Sequence, residues 1–182
     1  PPGEGGIGIV RVSGAKALQI ARRMFTPLPE RVQSHHSYVG TIIDPDTGEH
    51  VDRALLLTFL APRSYTGEDV VEFSCHGGTV LLRRVLRLTL QHGARLAQPG
   101  EFTLRAFLNG QLDLAQAEAV ADLVRARTES AQRLAMRQHE GELSRAIHAL
   151  RDELVHLLAS VEAHLDFSED IGEMDYDYLV QQ

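Results

Sequence analysis

The stretch that divides this chain is residues 99–124, which read PGEFTLRAFLNGQLDLAQAEAVADLV. Before it the sequence is rich in glycine, proline and β-branched residues, whereas residues 113–166 contain one glycine and no proline. Asn109-Gly110 is a turn signal, and Asp113 with Gln116 three residues later has the pattern of a helix-capping box. We therefore predict a domain boundary after residue 112, with a helix that begins after Asp113.

Residues 1–112 carry strand and helix patterns in no regular order. Strands are predicted at residues 7–12, 37–43, 51–60, 69–74 and 94–97, and helices at residues 15–24 and 79–92. Ser13 is placed to cap the first helix, and Gly93 to end the second. Because no βαβ rhythm repeats along this segment, we predict an α+β fold with a mixed sheet.

The chain after residue 112 has the composition of helices. A second, longer helix is predicted to begin at Thr128 or Ser130. Its apolar residues recur every three or four positions, at Leu143, Ile147, Leu150, Leu154, Leu157 and Val161. Such a seam is typical of a helix that packs against a partner. Since the helix after Asp113 is too short to cover the seam, residues 113–182 are predicted to be an incomplete helical domain.

The net charge of −7 is distributed unevenly over the 182 residues. Residues 152–182 hold nine acidic and no basic side chains, whereas the rest of the chain holds 16 acidic and 18 basic ones. RNA binding depends on clustered Lys and Arg, so this acidic segment argues against RNA binding by the chain alone. The segment lacks a regular D-x-D-x-D-G loop, which favours a solvated charge run over a cation site.

Cys75 is the only cysteine, so the chain has no internal disulfide. This fits a protein of the reducing cytoplasm. No run of eighteen apolar residues predicts a membrane span, and the first residues, PPGEGG, lack the pattern of a signal peptide. Cys75 and His76 are neighbours in sequence, but a lone Cys-His pair is more typical of packing at a strand end than of a nucleophile or a metal site.

Three motifs occur in order along the chain. They are PPGEGGIGIVRVSG at residues 1–14, APRSYTGEDVVEFSCHGG at residues 61–78, and PGEFTLRAFLNGQLDLAQAEAVADL at residues 99–123. Together they resemble the MnmE family, also called TrmE, of tRNA-modification GTPases. The resemblance implies that residues 1–112 form a tetrahydrofolate-binding-like domain that makes a homodimer, and that residues 113–182 begin a helical domain. In the family, a GTPase domain is inserted after this point and further helices follow it.

The resemblance also implies an activity for the full-length protein. Such a protein binds and hydrolyses GTP with Mg²⁺ and K⁺, and with a flavin-dependent partner, MnmG or GidA, it modifies carbon 5 of the wobble uridine of tRNA. A phosphate-binding loop needs a Gly-Lys pair, which this chain lacks, so these 182 residues alone are not expected to hydrolyse GTP. The resemblance implies that they supply 5-formyltetrahydrofolate binding and dimerisation instead. The alternative is a stand-alone folate-binding or dimerisation module without GTPase activity.

Two charged residues lie within apolar strand patterns, Arg11 in IGIVRV and Glu72 in DVVEFS. A lone buried charge is costly, so three alternatives remain open: the two residues pair with each other, they face solvent, or they hold a ligand. By the resemblance, both match folate-binding residues of the family, in its IVRVSG and GEDVVE motifs. The chemistry suits these roles, because a carboxylate can accept paired N–H bonds from a pterin ring and a guanidinium presents a planar fork of donors.

Gln111 departs from the family pattern. Many members carry lysine at this position, in LNGKLDL, and that lysine belongs to their folate site. Glutamine keeps the capacity for hydrogen bonds but lacks the charge that strengthens them. Two alternatives follow: the folate site of this chain is weaker, or another arginine such as Arg105 compensates. No catalytic and no metal-ligating residue is predicted.

Overall fold

A computed structural model describes residues 5–166 of the chain. The chain divides into two compact units, residues 1–112 and residues 113–182. The acidic segment considered above lies largely outside the described residues, as does the start of the first motif. Among the described helices, none combines the length and the apolar character that crossing a membrane requires.

The first unit is built on one five-stranded sheet. Its strands are β1 (Ile7–Ser13), β2 (Phe25–Thr26), β3 (His36–Ile43), β4 (His50–Phe59) and β5 (Val70–His76), in the order β1-β5-β4-β3-β2. The predicted α+β class is confirmed, but the sheet is antiparallel between all of its described neighbours rather than mixed. Parallel neighbours need long crossover connections, whereas short connections link β3 to β4 and β4 to β5 and therefore reverse the chain direction each time.

The two faces of the sheet differ in what covers them. Helices α1 (Ala17–Met24) and α2 (Thr79–Gln91) pack on one face. The core between the helices and the sheet contains Val10, Val12, Ile20, Met24, Leu56, Val71, Phe73, Val85 and Leu88. Because alternate residues of a strand point to opposite faces, the residues between these strand positions form the other face, which we call the open face.

The open face presents a row of residues that crosses four strands and is apolar except for Ser74. Ile9 lies opposite Ser74, Ser74 opposite Leu55, and Leu55 opposite Val39. Their exposed fractions are 57% for Ile9, 41% for Leu55 and 61% for Val39. Large apolar side chains grouped in this way on a surface are typical of a binding face.

Two local predictions in the first unit are wrong. Residues 94–97 form no strand, because three of the four are exposed and lack the alternating burial of a strand. Helix α3 (Glu101–Leu108) follows them. Ser13 does not cap α1, whose N-cap is Lys16; the Ser13 hydroxyl instead hydrogen-bonds to Thr66 Oγ1 at 2.7 Å and to Glu68 at 3.2 Å.

The second unit consists of helices α4 (Leu114–Arg125), α5 (Glu129–His139) and α6 (Glu142–Asp166). The predicted capping box is confirmed: the Gln116 N–H donates to Asp113 Oδ1 at 2.9 Å, and the Asp113 N–H donates to Gln116 Oε1 at 3.0 Å. Thr128 caps α5. The single longer helix that we predicted is divided in two at Gly141, whose φ of +78° is a left-handed conformation that ends helices.

Helix α6 carries the predicted apolar seam. Its first four members, Leu143, Ile147, Leu150 and Leu154, are all exposed. Leu157 and Val161 are half-buried. The described part of the second unit therefore leaves most of the seam without cover.

Candidate ligand site on the open face

Arg11 and Glu72 lie directly opposite each other on β1 and β5. Arg11 Nε donates to Glu72 Oε1 at 2.6 Å. Both positions belong to the open face, two residues along their strands from Ile9 and Ser74. The structure thus brings the two predicted residues together, and of the alternatives that the sequence left open it shows the one in which they pair.

The ion pair uses only part of the hydrogen-bonding capacity of these side chains. The Arg11 side chain is 45% exposed and that of Glu72 is 13% exposed. Within the described residues, no hydrogen bond involves the two terminal nitrogens of Arg11 or the second carboxylate oxygen of Glu72. The pair therefore presents a fork of donors beside a largely desolvated acceptor, a set that could bind a planar polar ligand.

Phe102 completes one side of this pair. The guanidinium carbon of Arg11 lies 5.7 Å from the centroid of the Phe102 ring, a distance at which a cation interacts favourably with an aromatic face. Phe102 belongs to α3, which the sequence did not predict. The ring also lines a cavity of about 440 Å³ together with Arg11, Glu68 and Arg105. Ile20 and Leu86, on the helix-covered side, line the same cavity, whereas Glu72 and Gln111 do not.

A network of charges fixes α3 beside this site. Arg105 Nη1 donates to Glu68 Oε2 at 2.8 Å, and Arg105 Nη2 donates to Glu101 Oε1 at 2.9 Å. Arg95 also binds Glu101. Hydrogen bonds from Arg95, then from the Gln98 N–H and from Arg105, lower the pKa of Glu101 to about 2. The network ties α3 to the loop between β4 and β5.

These contacts bear on the alternative that Arg105 replaces the lysine of the family pattern. Arg105 binds two carboxylates, Glu68 and Glu101, which raise its pKa. Its charge is therefore already paired with two carboxylates within the protein. The i,i+4 spacing of Glu101 and Arg105 is the sequence signal that could have predicted their contact.

Gln111 follows α3 in the chain, and its side chain lies against the loop between β4 and β5. A Cβ atom placed on Gly67 would be 3.2 Å from Gln111 Nε2, so the glutamine side chain packs over this glycine. Asn109 fixes the same loop, because its Nδ2 donates to the carbonyl of Thr66 at 2.7 Å. Among the described residues, no hydrogen bond joins Gln111 to Arg11 or Glu72. The structure therefore pairs two of the three predicted residues and places the third on a neighbouring loop.

Cys75 lies in the core on the helix-covered face, as predicted for a packed strand-end cysteine. Burial, and then the charge of Asp52, raise the pKa of its thiol to about 12. His76 is exposed, and its Nδ1 lies 2.8 Å from Asp52 Oδ1. The Cys75 thiol instead donates to the carbonyl of Phe73 at 3.4 Å, so no hydrogen bond joins the two side chains within the described residues.

Comparison with known proteins gives matches along the whole chain. The family model described as "GTP-binding protein TrmE N-terminus" matches residues 1–111, and the model described as "MnmE helical domain" matches residues 114–182. The chain is 52% identical over 182 residues to "tRNA modification GTPase MnmE" of Synechococcus elongatus. The matched region covers 100% of the chain and 39% of that protein. It is 51% identical to the protein of the same name from Moorella thermoacetica, over 98% of the chain and 40% of that protein.

A third relative, "tRNA modification GTPase MnmE" of Lactiplantibacillus plantarum, is 50% identical over 93% of the chain and 37% of its own length. The chain thus spans about two fifths of the length of these relatives. The first family model alone covers more than half of the 182 residues. The chain therefore belongs to the MnmE family of tRNA-modification GTPases.

Proposed function

We propose that this chain is the folate-binding and dimerising part of a GTPase that modifies carbon 5 of the wobble uridine of tRNA in the cytoplasm. The observation that carries the proposal is the identity of about half of all residues to proteins named tRNA modification GTPase, sustained over the full chain. The chain's own share of the activity is the site around Arg11 and Glu72, together with the open face of the sheet.

The chemistry of that site supports 5-formyltetrahydrofolate as its ligand. The pterin ring of a folate carries an exocyclic amine and a ring N–H, which match a carboxylate that has a spare oxygen, as Glu72 has. The carbonyl and carboxylate groups of a folate match the unused donors of Arg11. Phe102 offers an aromatic face beside them. Bound folate would supply a one-carbon unit, and the residues named here would bind and orient it.

Gln111 belongs to the proposed site as a neutral hydrogen-bonding residue. Its side chain packs against the loop that leads into β5, the strand of Glu72. A glutamine amide makes weaker hydrogen bonds to a carboxylate than a lysine ammonium does. Because Arg105 is neutralised by two carboxylates, we propose that the folate site of this chain binds more weakly than one with lysine at position 111.

The open face supports homodimer formation through the first unit. Exposed apolar side chains from three strands, Ile9, Leu55 and Val39, form a row beside the Arg11–Glu72 pair. A two-fold interface brings the same patch of both copies together, so this row can pack against its own counterpart. We propose, in addition, that residues 1–112 and 113–182 are separate domains of the complete protein.

The remaining functions belong to the complete protein. GTP binding and hydrolysis with Mg²⁺ and K⁺ require a phosphate-binding loop, which these 182 residues lack because they contain no Gly-Lys pair. We propose that the complete protein carries this loop beyond the chain and acts on tRNA with the flavoprotein MnmG. The continuing reading frame tests the first point, since it must encode a G-x-x-x-x-G-K-[ST] motif.

The function is tested by measuring tRNA nucleosides in the source cell. Deletion of the gene should abolish the modification at carbon 5 of the wobble uridine in mass spectra, and the complete wild-type gene should restore it. The Glu72→Gln variant should restore it only partly, whereas the control Glu49→Gln, which changes an exposed glutamate paired with Arg84, should restore it fully. Unchanged modification in the deletion strain would contradict the proposal, and folate binding without any effect on tRNA would favour the stand-alone module.

A further inference from the structure

The outer sides of α1 and α2 carry basic side chains and no acidic ones. The sequences of the two helices, ALQIARRM and TVLLRRVLRLTLQ, contain neither Asp nor Glu. Five exposed basic residues form what we call the helical basic face: Lys16, Arg22, Arg23, Arg83 and Arg87. Lys16 is the N-cap of α1 and the only lysine of the chain.

Both helices turn these residues away from the sheet. Ile20 and Met24 of α1 and Val85 and Leu88 of α2 lie in one core with the covered face of the sheet. A helix buries one side and presents the opposite one to solvent. In α2, Arg83 and Arg87 are four residues apart and hence neighbours on that opposite side.

The charges of this face are available to a partner. Arg84 is excluded from the set because it binds Glu49, with Nη1 3.0 Å from Oε1. Within the described residues, none of the five basic residues lies within 4.0 Å of a carboxylate oxygen. Arg22 Nη1 donates to the carbonyl of Pro29 at 2.9 Å and Arg22 Nη2 donates to the carbonyl of Glu30, so this guanidinium is held against the loop by both terminal nitrogens but keeps its charge.

The helical basic face belongs to the more basic part of the chain. Residues 1–112 contain 12 basic and 10 acidic side chains, a net charge of +2, whereas residues 113–182 contain 6 basic and 15 acidic ones, a net charge of −9. The acidic segment that argues against RNA binding thus belongs to the second unit. A group of unpaired basic side chains in the first unit is the electrostatic pattern of a polyanion site; the acidic groups beside it are Glu49 and Asp44, which face Arg84.

We propose that the helical basic face is a docking surface for the phosphate backbone of RNA. The proposal rests on the proposed function, in which tRNA is the substrate. Guanidinium groups bind phosphate oxygens in a bidentate geometry, and four of the five residues are arginine. A membrane-binding helix would combine its basic residues with large apolar ones at the surface, but the only large apolar residue strongly exposed on α1 or α2 is Val80.

The docking surface is tested by fluorescence anisotropy of the 182-residue chain with an unmodified tRNA transcript. The double variant Arg83→Gln, Arg87→Gln removes two adjacent charges from α2. The slope of log Kobs against log[KCl] should become shallower by about 1.4–1.8, because each lost phosphate contact reduces it by about 0.7–0.9. At about 0.1 M KCl, the same loss should weaken binding by at least about tenfold.

The matched control is Arg125→Gln, Arg127→Gln, which makes the same change of net charge on exposed residues of the second unit. It should leave both the slope and the affinity close to wild type. Circular dichroism verifies that both double variants fold. An equal loss in the two double variants would show an effect of net charge alone and would overturn the proposal.

Three further results would overturn it: tRNA affinity unchanged by the Arg83, Arg87 double variant, no tRNA binding by the wild-type chain, or binding to phosphatidylserine–phosphatidylcholine vesicles in place of RNA. These outcomes are distinguishable from failure of the proposed function. If the wobble modification still depends on the gene, the proposed function stands although the docking surface fails. If deletion of the gene leaves the modification intact, the proposed function fails whatever the affinity for RNA.

Discussion

Two apolar surfaces of this chain compete as the dimer interface, and paired substitutions separate them. One is the row on the open face, and the other is the seam of α6. The variant Ile9→Glu, Leu55→Glu places charges in the row, whereas Leu150→Glu, Leu154→Glu places charges in the seam. All four side chains are about half exposed, so each replacement is tolerated by the isolated chain far better than a substitution in the core.

The expected effect on association is much larger than the effect on folding. Charging an exposed strand position costs about 1 kcal/mol or less, whereas a residue at the centre of an interface contributes about 2 kcal/mol or more. Both copies carry the two substitutions, so the four changed residues amount to about 8 kcal/mol if their effects add, and the dimer dissociation constant should weaken by at least about a thousandfold. Sedimentation velocity at tens of micromolar protein should therefore show a dimer for the wild type and a monomer for the open-face variant.

The seam variant is the control in this experiment and should remain dimeric. Residues 1–112 alone should also be dimeric, since they contain the whole open face. A monomeric 1–112 fragment, or dissociation by the seam variant while the open-face variant stays dimeric, would refute the assignment of the interface to the sheet. Thermal unfolding of both variants verifies that loss of the dimer is not loss of the fold.

Three other predictions concern a glycine of the sheet, the glutamate at position 101 and GTP. Gly40→Ala should lower the free energy of unfolding in urea by about 1–3 kcal/mol, because its Cβ would lie 2.6 Å from ring atoms of the buried Phe25; Gly6→Ala, with nothing within 4 Å of the added atom, should be close to neutral. The pKa of Glu101 is lowered from 4.5 to about 2, so its stabilising contribution is complete above pH 4.5 and is lost as the pH falls towards 2. The free energies of unfolding of wild type and Glu101→Gln, measured against pH, should therefore differ at neutral pH and become equal near pH 2. The purified chain should neither bind nor hydrolyse GTP in a phosphate-release assay, because it has no Gly-Lys pair.

Local signals were sufficient for most elements of the fold. The capping box at Asp113 and Gln116 is specified by side chains three residues apart, so the sequence contains all of its determinants. The burial along β1 was less predictable, because apolar residues occur on both of its sides: Val10 and Val12 are buried, whereas Ile9 is exposed. Gly141 divides the long helix because a single glycine can adopt a left-handed conformation, and the continuing apolar seam conceals that break.

Non-local pairing was not predictable in the same way. Arg11 and Glu72 are 61 residues apart in sequence, and only the register of β1 against β5 places them opposite each other. Because each residue lies in an apolar run, the sequence left mutual pairing, exposure to solvent and ligand binding as alternatives, but it could not decide among them. Phe102 was missed because its role depends on α3 being held beside β1 by the Glu68–Arg105–Glu101 network.

A calorimetric titration of wild type, Glu72→Gln and the control Glu49→Gln with 5-formyltetrahydrofolate tests the proposed site most directly. Glu72→Gln should weaken binding by about 1.5–3 kcal/mol, the range for a hydrogen bond to a charged group, or about 10- to 150-fold. Its thermal unfolding should change little, because Arg11 is exposed and an exposed ion pair contributes about 0–1 kcal/mol. Wild-type affinity in the control, with weakened binding only in Glu72→Gln, is the predicted result; equal affinities in all three proteins would contradict the folate site.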